Sequence, residues 1–422
     1  METVINNRLV AFFEKFGSFH KHQYGFRKNH STRLSLINLV TSLLNQMDKG
    51  NITIGIFIDF TKAFDTINHD ILLSKLQYYG VRGMPLKWIS DYLHHRTQYV
   101  VAGNNESAKM SDTCGVPQGS ILGPTLFLIY INDLPNASNF FDFRLFADDS
   151  NLFHTFSDKS NIVDLNLVSH HFKNVTDWCD ANKLTINVTK TNYIVFHGKR
   201  QQIYCNGCLY VKDDILNEVD KTSFIGVTID KHLTWKYHIE EVTRNIRNKS
   251  GILFKLRYFV PRHILLLLYK SFIQPSITYG LEVWGSTFPT YQLPVLKVQK
   301  MCVRCITFSS FTQPSSPLFS KLGLLDVYQL YNLCIGNFIF ELYNGHLPHH
   351  FNDYFKSVDH RYETRQRCHQ NISIPITHTA VGQFSISYAG AKLWNSLPSH
   401  VKLLTSKYEF RKALKEHIIS GL

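Results

Sequence analysis

Apolar positions follow two alternating periods through the first half of the chain. "VINNRLVAFFEKF", near residues 4–16, spaces them at helical intervals, and the same spacing returns from about Ser31 to Asp48. "NITIGIFIDF" breaks that rhythm with a continuous β-branched and aromatic run, which predicts a buried strand ending at Asp59. Helices are expected at "HDILLSKLQYYG", stopped by Gly80, and at "MPLKWISDYLHH", where Pro85 suits a first turn. "RTQYVVAGNNESAKMSDT" reads as two strands around an Asn-rich turn, and "CGVPQGSILGPTLFLIYINDLP" as a Gly/Pro loop feeding an apolar helix. "FRLFADDSNLF" reads as a hairpin with Asp148 and Asp149 at or beside its turn. A long helix over about Ile162–Ala181 precedes paired strands in "KLTINVTKTNYIVF". An Asn206-Gly207 hairpin and a strand at "FIGVTID" close this region near residue 230. From Leu233 onward the pattern turns helical, and Pro/Ser-rich breaks fall within 285–320. The reading divides the chain into 1–234, 235–290 and 291–422, the last mostly helical.

Composition narrows the class. The 422 residues are 44% hydrophobic and 18% charged, as a globular chain is, and the net charge of +13 points to a polyanionic partner. No apolar h-region opens the sequence. The greasiest stretch, "HILLLLYKSFIQPSITYGLEVWG", is interrupted by Lys270, Gln274, Pro275 and Glu282. No membrane span is expected, and the chain reads as intracellular. Two cysteine pairs have CxxC spacing, Cys205–Cys208 and Cys302–Cys305. A four-cysteine zinc site is one reading of them. The other is structural thiols, since the first pair lies in the Asn-Gly hairpin and the second in a helix.

Three aspartates carry the candidate chemistry. Asp59 ends a strand, Asp148 and Asp149 sit in a hairpin, and intervening helices would let those strands lie side by side. Clustered carboxylates repel one another unless a cation lies between them, and hard divalent cations prefer oxygen ligands. Taken singly, Asp59 could cap a helix and the paired aspartates could populate a turn.

At this point the motifs converge. "GIFIDFTKAFDTINHDILLSKLQYYGVRG", "GVPQGSILGPTLFLIYINDLP", "FRLFADDSNLF", "KLTINVTKTNYIVF" and "FIGVTIDKHLTWKYHI" follow one another in the order of the reverse transcriptases of non-LTR retrotransposons. The chain resembles the animal Jockey-like group from about Asn7 to Ile246, with looser similarity at "LYKSFIQPSITYGLEVWG" and "AGAKLWNSLP". The resemblance implies an α/β right-hand polymerase fold. Fingers and an antiparallel-sheet palm would occupy 1–234 and a helical thumb 235–290. It implies RNA-directed DNA polymerase activity with two Mg²⁺ ions (Mn²⁺ as substitute), an RNA template, a DNA primer and dNTPs, in the nucleus or cytoplasm. It assigns Asp59, Asp148 and Asp149 as catalytic metal ligands, with the Phe60 carbonyl as a further ligand and Asp148 the firmer of the pair.

Further positions follow from the same resemblance. Phe64 matches the aromatic that blocks a ribose 2′-hydroxyl. Gln118 and Gly119 match the loop against the incoming nucleotide, Lys190 the lysine near the triphosphate, and Arg27 and Lys28 the basic fingers segment. Lys236, Arg244, Arg247 and Lys255, together with Lys249 and Arg257, would contact duplex phosphates. "FIGVTID" resembles the strand gripping the primer end. Family proteins usually carry an upstream endonuclease and a fingers segment resembling "YRPISLL", and neither is in this sequence, nor is a CCHC knuckle. The chain is therefore expected to be shortened on its N-terminal side. Competing expectations are a silent nucleic-acid-binding remnant, an RNA-dependent RNA polymerase (against which Phe64 argues), and a C-terminal zinc module. The basic segment "HRYETRQRCHQ" reads equally as a solvated loop or an RNA contact.

Overall fold

Every residue of β1 (Ile52–Ile58) is buried, as its unbroken apolar run requires, so it occupies the middle of a sheet. The structure, a computed structural model, describes residues 1–94, 96–111, 113–157, 160–356 and 371–420. "HRYETRQRCHQ" and Cys368 lie outside the described residues. Before β1 come α1 (Glu2–Lys15) and α2 (Thr32–Asp48), and after it α3 (His69–Tyr78), α4 (Met84–Leu93) and α5 (Gly123–Ile131). Then follow β2 (Asp142–Phe146), β3 (Asp149–Phe156), α6 (Leu165–Ala181), β4 (Asn192–Phe196) and β5 (Asn217–Glu218). The five strands form one sheet in the order β5-β4-β1-β3-β2. β3 runs antiparallel to both β1 and β2, while β5 pairs with β4 in parallel. Residues of α3, α5 and α6 share one apolar core with the sheet, and α5 is buried from Thr125 through Ile131. This is the mixed helix-and-sheet class expected.

The chain resolves into two compact units. The first contains Met1–Ser35, Ile52–Val195 and Arg200–Asp220; the second contains Leu36–Asn51, Phe196–Lys199 and Lys221–Leu422. The division thus falls at Asp220/Lys221, and the regions read as thumb and C-terminal domain belong to one unit. In that second unit a hairpin, β6 (Lys221–Phe224) and β7 (Val227–Asp230), leads into α7 (Lys236–Leu256). Asp230 fixes the junction: its carboxylate accepts from the N–H groups of His232, Thr234 and Trp235, allowing Leu233 and Trp235 left-handed backbones. Helices α8 (Arg262–Leu268), a π-turn (Tyr269–Ile273), α9 (Gln274–Thr278) and α10 (Leu281–Trp284) follow. Then come α11 (Pro289–Thr307), α12 (Ser316–Leu322), α13 (Val327–Tyr343), α14 (Ile386–Ser396), α15 (Ser399–Lys402) and α16 (Lys407–Ser420). Asp48, ending α2, accepts from the His378 and Thr379 amides and the Thr379 hydroxyl, tying that helix to the C-terminal segment.

Three local expectations are corrected. Asn206-Gly207 does not turn a hairpin: Tyr204–Asn206 pairs in parallel with Ile162–Asp164. The turn comes at Lys212-Asp213 instead, where Val211 pairs with Asp214 around a left-handed Lys212. Leu209, just beyond Asn206-Gly207, is fully buried in the core shared with Val163. "KLTINVTKTNYIVF" holds one strand, β4; Ile186 makes only an isolated bridge to Phe60, and residues 187–191 form a turn. "FIGVTID" is a hairpin with Ile225-Gly226 at its turn, not a single strand. The long helix starts at Leu165, where the Asp164 carboxylate caps the Asn166 and Leu167 amides. Among the described residues no helix is long and apolar enough to cross a membrane. Cys302 and Cys305 are buried in α11, Cys179 is buried in α6, and Cys114 and Cys205 are exposed. Burial pushes the Cys179 and Cys302 thiols up to about 12.

Candidate active site

Sheet register brings the three aspartates to one end of β1 and β3. Ile58 pairs with Ser150, so Asp59, one residue on, stands opposite Asp149. β2 and β3 pair through Phe146 and Asp149, leaving Ala147 and Asp148 as a two-residue turn. The first turn position needs a positive φ, which glycine usually supplies. Here Ala147 takes it, at φ +53°. Left-handed alanine costs roughly 1 kcal/mol or more, so something must hold it.

That something is Gln23, which is only 1% exposed. Its Oε1 accepts from the Ala147 N–H at 3.1 Å and from the Gly25 N–H at 2.8 Å. The Tyr24 N–H donates to the Leu145 carbonyl and the Leu145 N–H to the His22 carbonyl, so 22–25 lies as a short extra strand beside β2. Gly25 presses so closely on Ala147 that a Cβ there would collide with its backbone. Sequence reasoning missed Gln23. No local signal in "HQYGF" marks it, because the burial of His22 to Gly25 is set by tertiary folding.

The carboxylates feel one another. Asp148 is raised above the usual range by partial burial and then by the charge of Asp59, against its own amide. Asp149 is pushed up to about 6, by loss of hydration first, then by Asp148, then by Asp59. Part of Asp149 still reaches solvent. Among the described residues no three acidic, histidine or cysteine side chains converge closely enough to hold an ion as they stand.

The 187–191 turn grips Asp59 from the other side. The Asn187 N–H donates to the Asp59 carbonyl at 2.8 Å, and the Asp59 N–H donates to Thr191 Oγ1 at 3.2 Å. Lys190 Nζ lies 3.7 Å from Asp59 Oδ2, an exposed pair that adds little stability. Thr61 donates to the Thr185 carbonyl, so the ladder to this segment uses Asp59 and Thr61 and leaves the Phe60 carbonyl outside it.

Phe64, Gln118 and Gly119 also come together. Phe64 stacks on Phe127 at 4.4 Å, and its carbonyl accepts from Val116, which hooks the 115–119 loop beneath it. Gln118 Nε2 donates to Asp65 at 2.9 Å. The Ser120 N–H donates to the Pro117 carbonyl, and Gly119, at φ +80°, supplies the third position such a turn demands.

Two groups remain. Arg27 is not a free arm: its guanidinium pairs through two bonds with Glu14, at 2.9 and 2.8 Å, and donates to the His20 carbonyl, over the Phe19 ring. Lys28 beside it is exposed. Lys236, Arg244, Arg247 and Lys255 belong to the second unit, all exposed within an arc of about 100° on α7. Lys249 donates to Ser276, and Arg257 lies over the Phe308 ring.

Comparison with known proteins decides the family. Residues 1–229 match the family described as reverse transcriptase (RNA-dependent DNA polymerase). The chain belongs to the reverse transcriptases. Its mixed helix-and-sheet architecture is of that family's right-hand polymerase class. It is 28% identical over 342 residues to the probable RNA-directed DNA polymerase from transposon BS of Drosophila melanogaster, covering 76% of this chain and 36% of that protein. To the RNA-directed DNA polymerase from mobile element jockey of the same species it is 26% identical over 319 residues, 73% of this chain and 34% of that protein. The chain thus spans about a third of the curated relatives it matches. Among solved structures, telomerase from Candida albicans aligns with a TM-score of 0.40 at 11% identity, over 76% of this chain and 54% of that one.

Proposed function

We propose that the chain carries the RNA-templated DNA synthesis of a Jockey-like non-LTR retrotransposon, extending a DNA primer's 3′-hydroxyl with deoxynucleotides. The observation that carries this reading is the register that stands Asp59 opposite Asp149, with Lys190 reaching the same carboxylate, inside a reverse transcriptase chain. Reverse transcriptases use divalent metal ions. The donor set fits such ions: three mutually repelling carboxylates and a Phe60 carbonyl outside the ladder, all oxygen. In our reading Asp59, Asp148, Asp149 and Phe60 hold two Mg²⁺ ions, with Mn²⁺ as a substitute. Bound there, the ions supply positive charge to the attacking hydroxyl and the leaving pyrophosphate.

The chain's own side chains do the rest. Lys190 stands ready to give a proton to departing pyrophosphate. The Phe64 ring, fixed by its stack on Phe127, blocks a 2′-hydroxyl and so selects deoxynucleotides. The Gln118-Gly119 turn offers bare backbone to the new base pair. Lys28 is an exposed cation of the loop beside Ala147, whereas Arg27 shapes that loop through Glu14. The α7 face, as thumb, takes duplex phosphates through Lys236, Arg244, Arg247 and Lys255. Template and primer would be met inside the cell, in nucleus or cytoplasm.

Primer extension on an RNA template tests the proposal. Asp148→Ala should lower incorporation by about a thousandfold or more, since several kcal/mol of charge stabilisation go with one ligand. Equal incorporation by the variant and the parent would sink it, and salt-sensitive binding without extension would identify a silent remnant. Phe64→Ala should raise ribonucleotide use relative to deoxynucleotide use. An unchanged ratio would make Phe64 a core aromatic only.

A further inference from the structure

From Val242 to Leu325 the sequence holds eleven lysines and arginines against one acid, Glu282, and Glu282 is buried. That stretch alone is +10 of the chain's +13. Inside it, the turn joining α7 to α8 exposes two consecutive aromatics, Tyr258 at 81% and Phe259 at 82%. Folding normally covers such rings, and adjacent uncovered ones mark an interaction surface. Arg257, next to them, lies 5.9 Å from the Tyr258 ring centroid and 4.9 Å from that of Phe308, itself 49% exposed. Its Nε is buried without a hydrogen-bond partner. Cation and rings are thus arranged in advance, with donor capacity left over.

We infer that the α7–α8 turn is a stacking platform for single-stranded nucleic acid. Unpaired bases would lie on Tyr258, Phe259 and Phe308, and Arg257 and Lys255 would take the adjoining phosphates. Charge decides the occupant. A protein partner would have to bring acids to meet a stretch whose one acid is buried, whereas a nucleic acid brings a negative charge at every nucleotide. Aromatic faces decide the strandedness, because only an unpaired base presents its π-face. Lys255 is shared with the α7 face proposed above, but Arg257, Tyr258, Phe259 and Phe308 are not, and none of the five is among the proposed metal ligands, so loss of the platform and loss of catalysis are distinguishable.

The test uses the full chain carrying Asp148→Asn, so that turnover cannot enter, and fluorescence anisotropy with a labelled oligouridylate of about 15 nucleotides. Tyr258→Ser with Phe259→Ser should raise Kd roughly tenfold or more while leaving its salt dependence unchanged. Tyr258→Phe should stay near the parent. Arg257→Ala should reduce the salt slope by about one. A blunt duplex of the same length should lose less than about twofold. An unchanged Kd for the single strand, or an equal loss for the duplex, would overturn the inference. So would an unaltered Kd accompanied by loss of self-association in sedimentation or of binding to anionic vesicles. Photocross-linking of the unsubstituted aromatics to a 4-thiouridine oligonucleotide needs no variant at the turn. Adducts at Tyr258 or Phe259 are expected, and adducts found solely elsewhere would refute the platform.

Discussion

Two hairpins, one in each unit, solve the same backbone problem differently. Both use two-residue turns, and both put a non-glycine residue in the left-handed region: Ala147 at φ +53° and Ile225 at φ +47°. The β-branched Ile225 suffers more there than alanine does. Ala147 is held by Gln23, a buried amide that accepts from two N–H groups. Ile225 is held by Tyr279, whose hydroxyl donates to its carbonyl at 2.6 Å from a ring that is 40% exposed. The first turn presents side chains, and its pin is dry. The second presents backbone, with exposed Gly226 at its tip, and its pin is wet. A buried pin has no water to replace it and an exposed one does, so the carboxylate turn should tolerate less change.

Gln23→Leu should show the largest difference. It leaves two buried N–H groups without acceptors, at about 1–3 kcal/mol each. Primer extension should fall roughly ten- to a hundredfold, while Gln23→Glu, which keeps the acceptor, should recover part of the loss. Extension equal to that of the parent would mean that Ala147 holds its shape unaided.

Acid should separate the hairpins next, with opposite signs. His238 Nδ1 accepts from the Thr228 N–H on β7, and burial lowers its pKa from 6.5 to about 4. Between those values the unfolded chain binds the extra proton, so stability falls as pH drops below 6.5, on the order of 2 kcal/mol by pH 5. Asp149 is raised from 3.8 to about 6, so in metal-free protein the folded state takes up the proton first. Acidification through pH 6 therefore relieves the desolvation of the charged carboxylate first and its repulsion with Asp148 and Asp59 second, and adds stability. Urea unfolding from pH 7 to 5 should show His238→Gln flattening the acid loss and Asp149→Asn steepening it. Parallel curves for both variants would refute the contrast.

Tyr279→Phe should matter least. Water can take the Ile225 carbonyl, so the loss is about 0.5–1 kcal/mol, and extension should stay within roughly threefold of the parent. A collapse in activity would show that this turn is as intolerant as the other.

Much of this was legible in residue order. The unbroken apolar run of β1 announced a central strand, and the paired aspartates announced a turn, because local pattern dictates both. The Asn206-Gly207 hairpin failed for the complementary reason: a strong local turn signal lost to a parallel pairing of Tyr204–Asn206 with the distant Ile162–Asp164, which local pattern does not encode. "KLTINVTKTNYIVF" alternates like a strand throughout, yet Asn187 accepts from both Lys190 and Thr191 and folds the middle into a turn. That turn delivers Lys190 to Asp59. Gln23 and the Glu14 partner of Arg27 could not be read at all. Each acts on a group that only tertiary folding brings near, and neither residue type is unusual in its own segment.

The cysteines have a practical consequence. Cys179, Cys302 and Cys305 are shut inside helices, two of them with thiols held near 12, whereas Cys114 and Cys205 face solvent. A maleimide at neutral pH should therefore sort these five by position, reaching the two surface thiols first. Cys114 immediately precedes the 115–119 loop under Phe64. With Cys205 replaced by serine, it becomes a natural attachment point for a fluorophore that reports on the surroundings of that loop.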